Sequence, residues 1–224
     1  MKVVITGASG KTGYRVAEEA LKKSLDVHLV LRKDSKLPEN LQNCKKSYIS
    51  LDNQEELDTV LKEKDALVIA TGARPSIDLT GPAKVDACGV KAQVDSCKRV
   101  GLKRVILVSS LCAGRLIHPL NLFGLILIWK KIGEDALRRS ELDWSIIRPG
   151  GLLEKEEDIE RESIKYTSIN KQVEGSIPRR LVAKCCIEAL YTSNSIKETI
   201  EITSNENENE QTLKQAINAF QTVT

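Results

Sequence analysis

Near its start the chain joins a short apolar run to three evenly spaced glycines: "KVVIT" is followed by Gly7, Gly10 and Gly13. A brief run rich in Val and Ile reads as a strand, and the residues beyond the glycines carry the spacing of a helix beginning near Lys11. A strand that turns so tightly into a helix sets up a crossover unit, because the helix packs back over the strand it has just left. The unit repeats along the chain. Further strands are expected at "VHLVL", "SYIS", "ALVIAT", "RVILVSS", "WSIIR" and "TIEIT", all short and β-branched as strands covered on both faces are. Helix-like stretches lie between them. In Pro82–Val100, for example, Val90, Val94 and Cys97 follow helical spacing and Gly101 supplies a stop. The pattern predicts an α/β fold with a doubly wound, largely parallel sheet of about seven strands.

The length of 224 residues suits one domain spanning 1–224, with a cofactor-binding half over about 1–110 and substrate-side elements over about 111–224. No repeat or linker divides it. A balance of 34 basic and 31 acidic residues leaves a net charge of +3, too even for a nucleic-acid footprint. The first strand begins at the second residue, leaving no room for a targeting segment, so a cytoplasmic or plastid stroma-like compartment is expected. The longest apolar run, "LFGLILIWKK", is shorter than the roughly 20 residues of a membrane span. The six cysteines form no C-x-x-C pair and only two histidines accompany them, so no metal site is expected. The vicinal Cys185–Cys186 pair reads as two buried thiols rather than a redox couple, since neighbours on a helix point apart. Two stretches, "LLEKEEDIERE" and "SNENENE", read as solvated loops.

Between a strand and a helix, G-x-x-G-x-x-G is a dinucleotide-binding turn. Gly7 permits the turn, Gly10 the approach of a pyrophosphate, and Gly13 close packing of the helix, whose N-terminus offers free amides to phosphate. The second strand indicates which dinucleotide. An NAD site places Asp or Glu at that strand's carboxyl end, about 20 residues past the motif. Here the strand runs into Arg32 and Lys33, and the nearby Asp26 lies at the opposite end. The guanidinium fork of Arg32 suits a 2′-phosphate, with Ser9 and Lys11 in reach of the same pocket, so NADP(H) is expected over NAD(H).

With these residues in place the chain resembles the atypical short-chain dehydrogenases/reductases, in their small NAD(P)H-binding branch of plastid and cyanobacterial type. The resemblance rests on "TGASGKTG", "LVLRK", "SLDN", "VIATGA", "VDACGVKAQVDSCKRVGLKRVILVSS", "WKKIGEDALRRSELDWSIIRPGGLL" and "SIPRRLVA", and covers nearly all of the chain to about Asn205. It implies a Rossmann-type fold and roles for matching positions. Thr12 joins the glycines at the phosphates; Asp52 and Asn53 sit by the adenine; Ala70, Thr71 and Gly72 line the ribose and phosphate side. Ser109, with Ser110, faces the nicotinamide, Lys130 is the active-site lysine, and Pro149 and Gly150 of "RPGG" pass the carboxamide. All lie at carboxyl ends of expected strands or just beyond, the edge where open α/β sheets bind ligands.

One element of the family pattern is missing. The tyrosine usually found four residues before the lysine is Ile126 here, and no tyrosine lies between Tyr48 and Tyr166. Without a phenol to act as acid or base, alcohol oxidation and sugar-nucleotide epimerisation rank low. The expected function is NADPH-dependent reduction of a small conjugated acceptor (a flavin, quinone or linear tetrapyrrole) that takes its proton from solvent, with Lys130 and Ser109 as the catalytic pair. The alternative is an NADP(H)-binding sensor or scaffold with little turnover. Apolar segment 116–129 reads as a wall for the acceptor, as a protein or membrane-edge contact, or as a helix packed on both sides. A second departure, Leu181 where the family has aspartate, affects only a helix start.

Overall fold

A computed structural model describes residues 1–73, 80–172, 174–206 and 208–222; the side chains of residues 120, 123, 221 and 222 lie outside the description. The expected strands appear as β1 (Lys2–Thr6), β2 (Asp26–Leu31), β3 (Lys45–Tyr48), β4 (Ala66–Ile69), β5 (Arg104–Val108) and β6 (Asp143–Pro149), and "TIEIT" lies within the last strand, β10 (Glu198–Asn205). Three strands come from segments read as loop or left unassigned: β7 (Gly151–Leu153), β8 (Ser163–Ser168) and β9 (Ser176–Pro178). The central sheet therefore has eight strands rather than seven, in the order β3-β2-β1-β4-β5-β6-β10-β8. All its pairings are parallel except β10 with β8. Strands β7 and β9 form a separate parallel pair.

Helices α1 (Gly13–Lys22), α2 (Gln54–Leu61), α3 (Val90–Val100), α4 (Ile126–Arg138), α5 (Arg179–Tyr191) and α6 (Leu213–Thr222) cover the sheet. The alternation of side chains along each strand feeds two cores. Val3 and Ile5 pack with α1, α5 and α6, whereas Val4 on the opposite face packs with Leu57, Val94 and Leu137 of α2, α3 and α4. The helix expected over Pro82–Val100 enters through a π-helical stretch, Ala83–Gly89, and stops at Gly101 with φ +77°. Gly133 on α4 allows a close crossing, because a Cβ there would lie 2.1 Å from the Asp86 carbonyl oxygen.

Two regions differ from the reading of the sequence. The acidic stretch after β6 is not free in solvent: Glu154 pairs with Lys11 at 3.0 Å and with Arg179 at 2.9 Å, and Glu156 pairs with Arg15 and with Arg180. These acids answer cations from α1 and α5, elements remote in sequence. Segment 116–129 is not one helix packed on both sides. It forms a tight turn over Pro119–Phe123 before α4 begins; Ile126 and Leu127 are buried, while Leu116, Ile117 and Leu122 are exposed. Among the described residues, no helix is long and apolar enough to cross a membrane. Cys185 and Cys186 are free and fully buried on α5, and burial pushes the Cys186 thiol up to about 12.

His28 of β2 is buried, with Nε2 2.9 Å from the Ser47 hydroxyl and Nδ1 without a partner among the described residues. Burial foremost, then the charges of Lys45 and Lys64, lowers its pKa from 6.5 to about 4. The unfolded chain takes up a proton near pH 6.5 that the fold refuses until about pH 4, so stability is lost as pH falls through that window. Between pH 7 and 5 this histidine should cost about 2 kcal/mol, measured by urea unfolding. His28→Gln should flatten the slope by that amount; an unaltered slope would assign the loss elsewhere.

Candidate cofactor and active site

The strand order reverses between β1 and β4, and the crevice at this switch point holds a cavity of about 630 Å³. Its floor is the glycine turn. Gly7 has φ +77°, and a Cβ there would stand 2.5 Å from the Ala70 carbonyl oxygen. The Gly10 amide donates to the Gly7 carbonyl at 2.8 Å, and a Cβ on Gly13 would lie 2.2 Å from that same oxygen. Gly7 and Gly13 are therefore steric necessities of the turn. Thr6, just before it, donates from its hydroxyl to Gln93 on α3 at 2.7 Å, which ties the end of β1 to the opposite helix layer.

The cavity brings together Gly7, Ser9, Gly10, Arg32, Asp52, Ala70, Thr71 and Gly72, from four separate β–α turns. Arg32 follows β2 and is exposed; among the described residues no acid pairs with it. Asp52 is also exposed, and a hydrogen bond from the Ser50 side chain holds its carboxyl below the usual range. Asn53 caps α2, accepting from the Glu56 amide at 3.3 Å. Lys11 pairs with Glu154 on the strap that follows β6, and the Thr12 hydroxyl accepts from Arg179 at the start of α5 at 3.0 Å.

Next to the crevice, and sharing Thr71 with it, is a separate space of about 10 Å³ lined by Thr71, Asp86, Val90, Leu107, Val108, Ser109 and Lys130. Thr71 lines both spaces, and its Oγ1 is buried with no partner among the described residues. Lys130 Nζ lies 2.9 Å from Asp86 Oδ1, and Asp86 Oδ2 accepts from the Ala73 amide at 3.2 Å. Ser109 donates to Glu134 at 2.6 Å. Pro149 and Gly150 lie beside this end, where the Leu111 amide donates to the Pro149 carbonyl at 2.9 Å and a Cβ on Gly150 would stand 2.4 Å from the Gly175 carbonyl oxygen. Ile126, in the place of the family's tyrosine, is buried.

Asp86 and Glu134 escaped the reading of the sequence. Each is one carboxylate among 31 acidic residues, and only the crossing of α4 over the π-helical stretch brings them to the site. The cradle that a Cβ would fill, with the Thr71 hydroxyl and the Arg32 guanidinium, which have no partner among the described residues, together fit a dinucleotide. Among the described residues, no group of three or more His, Cys, Asp or Glu could hold a metal ion.

Comparison with known proteins shows the family and the fold. The model of a family described as NAD(P)H-binding matches residues 7–193. An uncharacterized chloroplastic protein of Arabidopsis thaliana is 32% identical over 215 residues, covering 90% of this chain and 76% of that protein. The chloroplastic Protein TIC 62 of the same plant is 31% identical over 188 residues, covering 74% of this chain and 29% of that longer protein. Sanguinarine reductase of Eschscholzia californica is 27% identical, covering 85% of this chain and 84% of the enzyme. The solved structure of an oxidoreductase from Lactococcus lactis superposes with a TM-score of 0.81 at 23% identity, covering 99% and 97% of the two chains. The chain belongs to the NAD(P)H-binding family, in the atypical branch of the short-chain dehydrogenases/reductases.

Proposed function

We propose that the protein is an NADPH-preferring reductase of a small, flat, conjugated acceptor. The observation that carries this reading is the adjacency of two spaces: Arg32 and the glycine turn line the crevice, and Thr71, which also lines it, borders the small space where Ser109 and Lys130 stand. A dinucleotide laid along them meets a cation at its 2′-phosphate and a lysine at its nicotinamide ribose. The bound cofactor supplies the hydride, and the chain supplies orientation and electrostatics. No tyrosine is among the residues lining the two spaces, and the Ser109 proton is committed to Glu134. The reading therefore favours acceptors such as a flavin, quinone or linear tetrapyrrole, which take their proton from solvent. The likeness to sanguinarine reductase supports reduction over epimerisation. The chloroplastic relatives favour a plastid stroma-like compartment.

A second reading, a redox sensor or scaffold with little turnover, is favoured by the small space at the nicotinamide end and by the lock of Lys130 on Asp86. NADPH oxidation against a panel of flavins, quinones and tetrapyrroles separates the two. Turnover with any acceptor supports the reductase, and tight NADPH binding without turnover supports the sensor. The cofactor preference has its own test. Arg32→Ala should weaken NADPH binding by roughly 10- to 100-fold, the worth of a charge-assisted phosphate contact, and leave NADH binding nearly unchanged. An equal loss for both dinucleotides would reject the 2′-phosphate role.

A further inference from the structure

Behind the nicotinamide end of the crevice lies a chain of buried charges that the proposed reaction does not use. Glu134 on α4 is fully buried. Arg148, at the end of β6, donates through Nε to Glu134 Oε1 at 2.9 Å and through Nη2 to Oε2 at 2.7 Å, and Arg138 adds a contact at 3.2 Å. The other side of Arg148 faces Glu201 at 3.3 Å, whose carboxylate in turn accepts the amides of Asn170, Lys171 and Gln172. A carboxylate gripped by a guanidinium fork on both oxygens only accepts hydrogen bonds.

Ser109 is the fork's neighbour on the cavity side, and its Oγ donates to Glu134 Oε1 at 2.6 Å. A serine hydroxyl carries one proton and two lone pairs. With the proton turned inward, only lone pairs remain for the space that Ser109 shares with Thr71, Asp86 and Lys130. Such a group repels a carbonyl oxygen and attracts an N–H. On the nicotinamide ring the carboxamide amino group is the only hydrogen-bond donor.

We infer that Glu134, through its hydrogen bond from Ser109, fixes that serine as the acceptor for the carboxamide N–H of the nicotinamide. Glu134 is then a positioning residue, and Ser109 orients the cofactor instead of polarising the acceptor's carbonyl. The inference rests on the NADP(H)-binding reading but not on turnover.

The test compares two ligands by fluorescence titration: NADPH and reduced 3-acetylpyridine adenine dinucleotide phosphate, in which a methyl group replaces the amino group. The unmodified protein should prefer NADPH by roughly five- to tenfold, the worth of one hydrogen bond to a buried acceptor. Ser109→Ala, a small change, should bring that ratio to about one while the preference for NADPH over NADH survives. Glu134→Gln keeps the shape of the side chain but can offer its own N–H to Ser109, freeing the serine proton, and should lower the ratio likewise. Equal binding of the two ligands by the unmodified protein, or a preference that persists in Ser109→Ala, would overturn the inference and leave cofactor binding intact. A ratio that drops in Ser109→Ala but not in Glu134→Gln would remove Glu134 from the role. Failure of both ligands to bind would overturn the cofactor reading, and this inference with it.

Discussion

Replacing Arg148 by methionine should destabilise the fold by about 3–5 kcal/mol, the cost of stranding buried charge. The loss does not measure what the ion pairs contribute to stability. Methionine roughly fills the volume, but the fully buried Glu134 then keeps only Arg138 and Ser109, and the buried Glu201 keeps only backbone amides. Desolvation therefore dominates the effect. A second substitution should recover part of it: Arg148→Met combined with Glu134→Gln removes one stranded charge and should be more stable than Arg148→Met alone. Urea midpoints of the three proteins would show this, and a loss under about 1 kcal/mol in the single variant would contradict the burial argument.

Gly13→Ala should be costly in stability and in cofactor affinity. In an exposed helix, alanine in place of glycine stabilises by roughly 0.5–1 kcal/mol through backbone entropy. At Gly13 the new Cβ would lie 2.2 Å from the Gly7 carbonyl oxygen, which cannot swing aside as a flexible side chain can. Overpacking against backbone costs about 2–3 kcal/mol, so strain exceeds propensity. Relief comes from displacing the turn, which is also the surface that receives the pyrophosphate. NADPH affinity should accordingly fall by roughly 30- to 100-fold. Titration would measure the affinity and thermal unfolding the stability; a variant as stable as the original and equally tight for NADPH would show that the turn yields without consequence.

The parts of this molecule legible in its sequence were those written locally. Apolar runs such as "ALVIAT" and "RVILVSS" announced the parallel strands because both faces are buried, and the glycine cradle announced the crevice because its spacing is set within seven residues. Strand β8 was illegible for the opposite reason. It lies at the sheet edge, where Ser163, Lys165, Thr167 and Ser168 dilute the signal of Ile164 and Tyr166. The acidic strap was misread because Glu154 and Glu156 find their cations on α1 and α5, and a charge carries no mark of its partner. The same blindness hid Asp86 and Glu134. Segment 116–129 showed its apolarity in the sequence, but not that a turn would expose Leu116, Ile117 and Leu122 while burying Ile126 and Leu127.

Gly133 works as a spacer of zero length. It has no side chain to meet a cofactor, yet α4 rests on the Asp86 carbonyl at a separation that even one added carbon would forbid. Lys130 sits one helical turn before it and reaches Asp86 because the two backbones touch there. A methyl group at position 133 would act as a wedge, lifting the lysine off its carboxylate without altering any residue of the crevice. The reach of the site's ammonium group is thus set by the thickness of a helix contact, and an atom that is absent serves as its gauge.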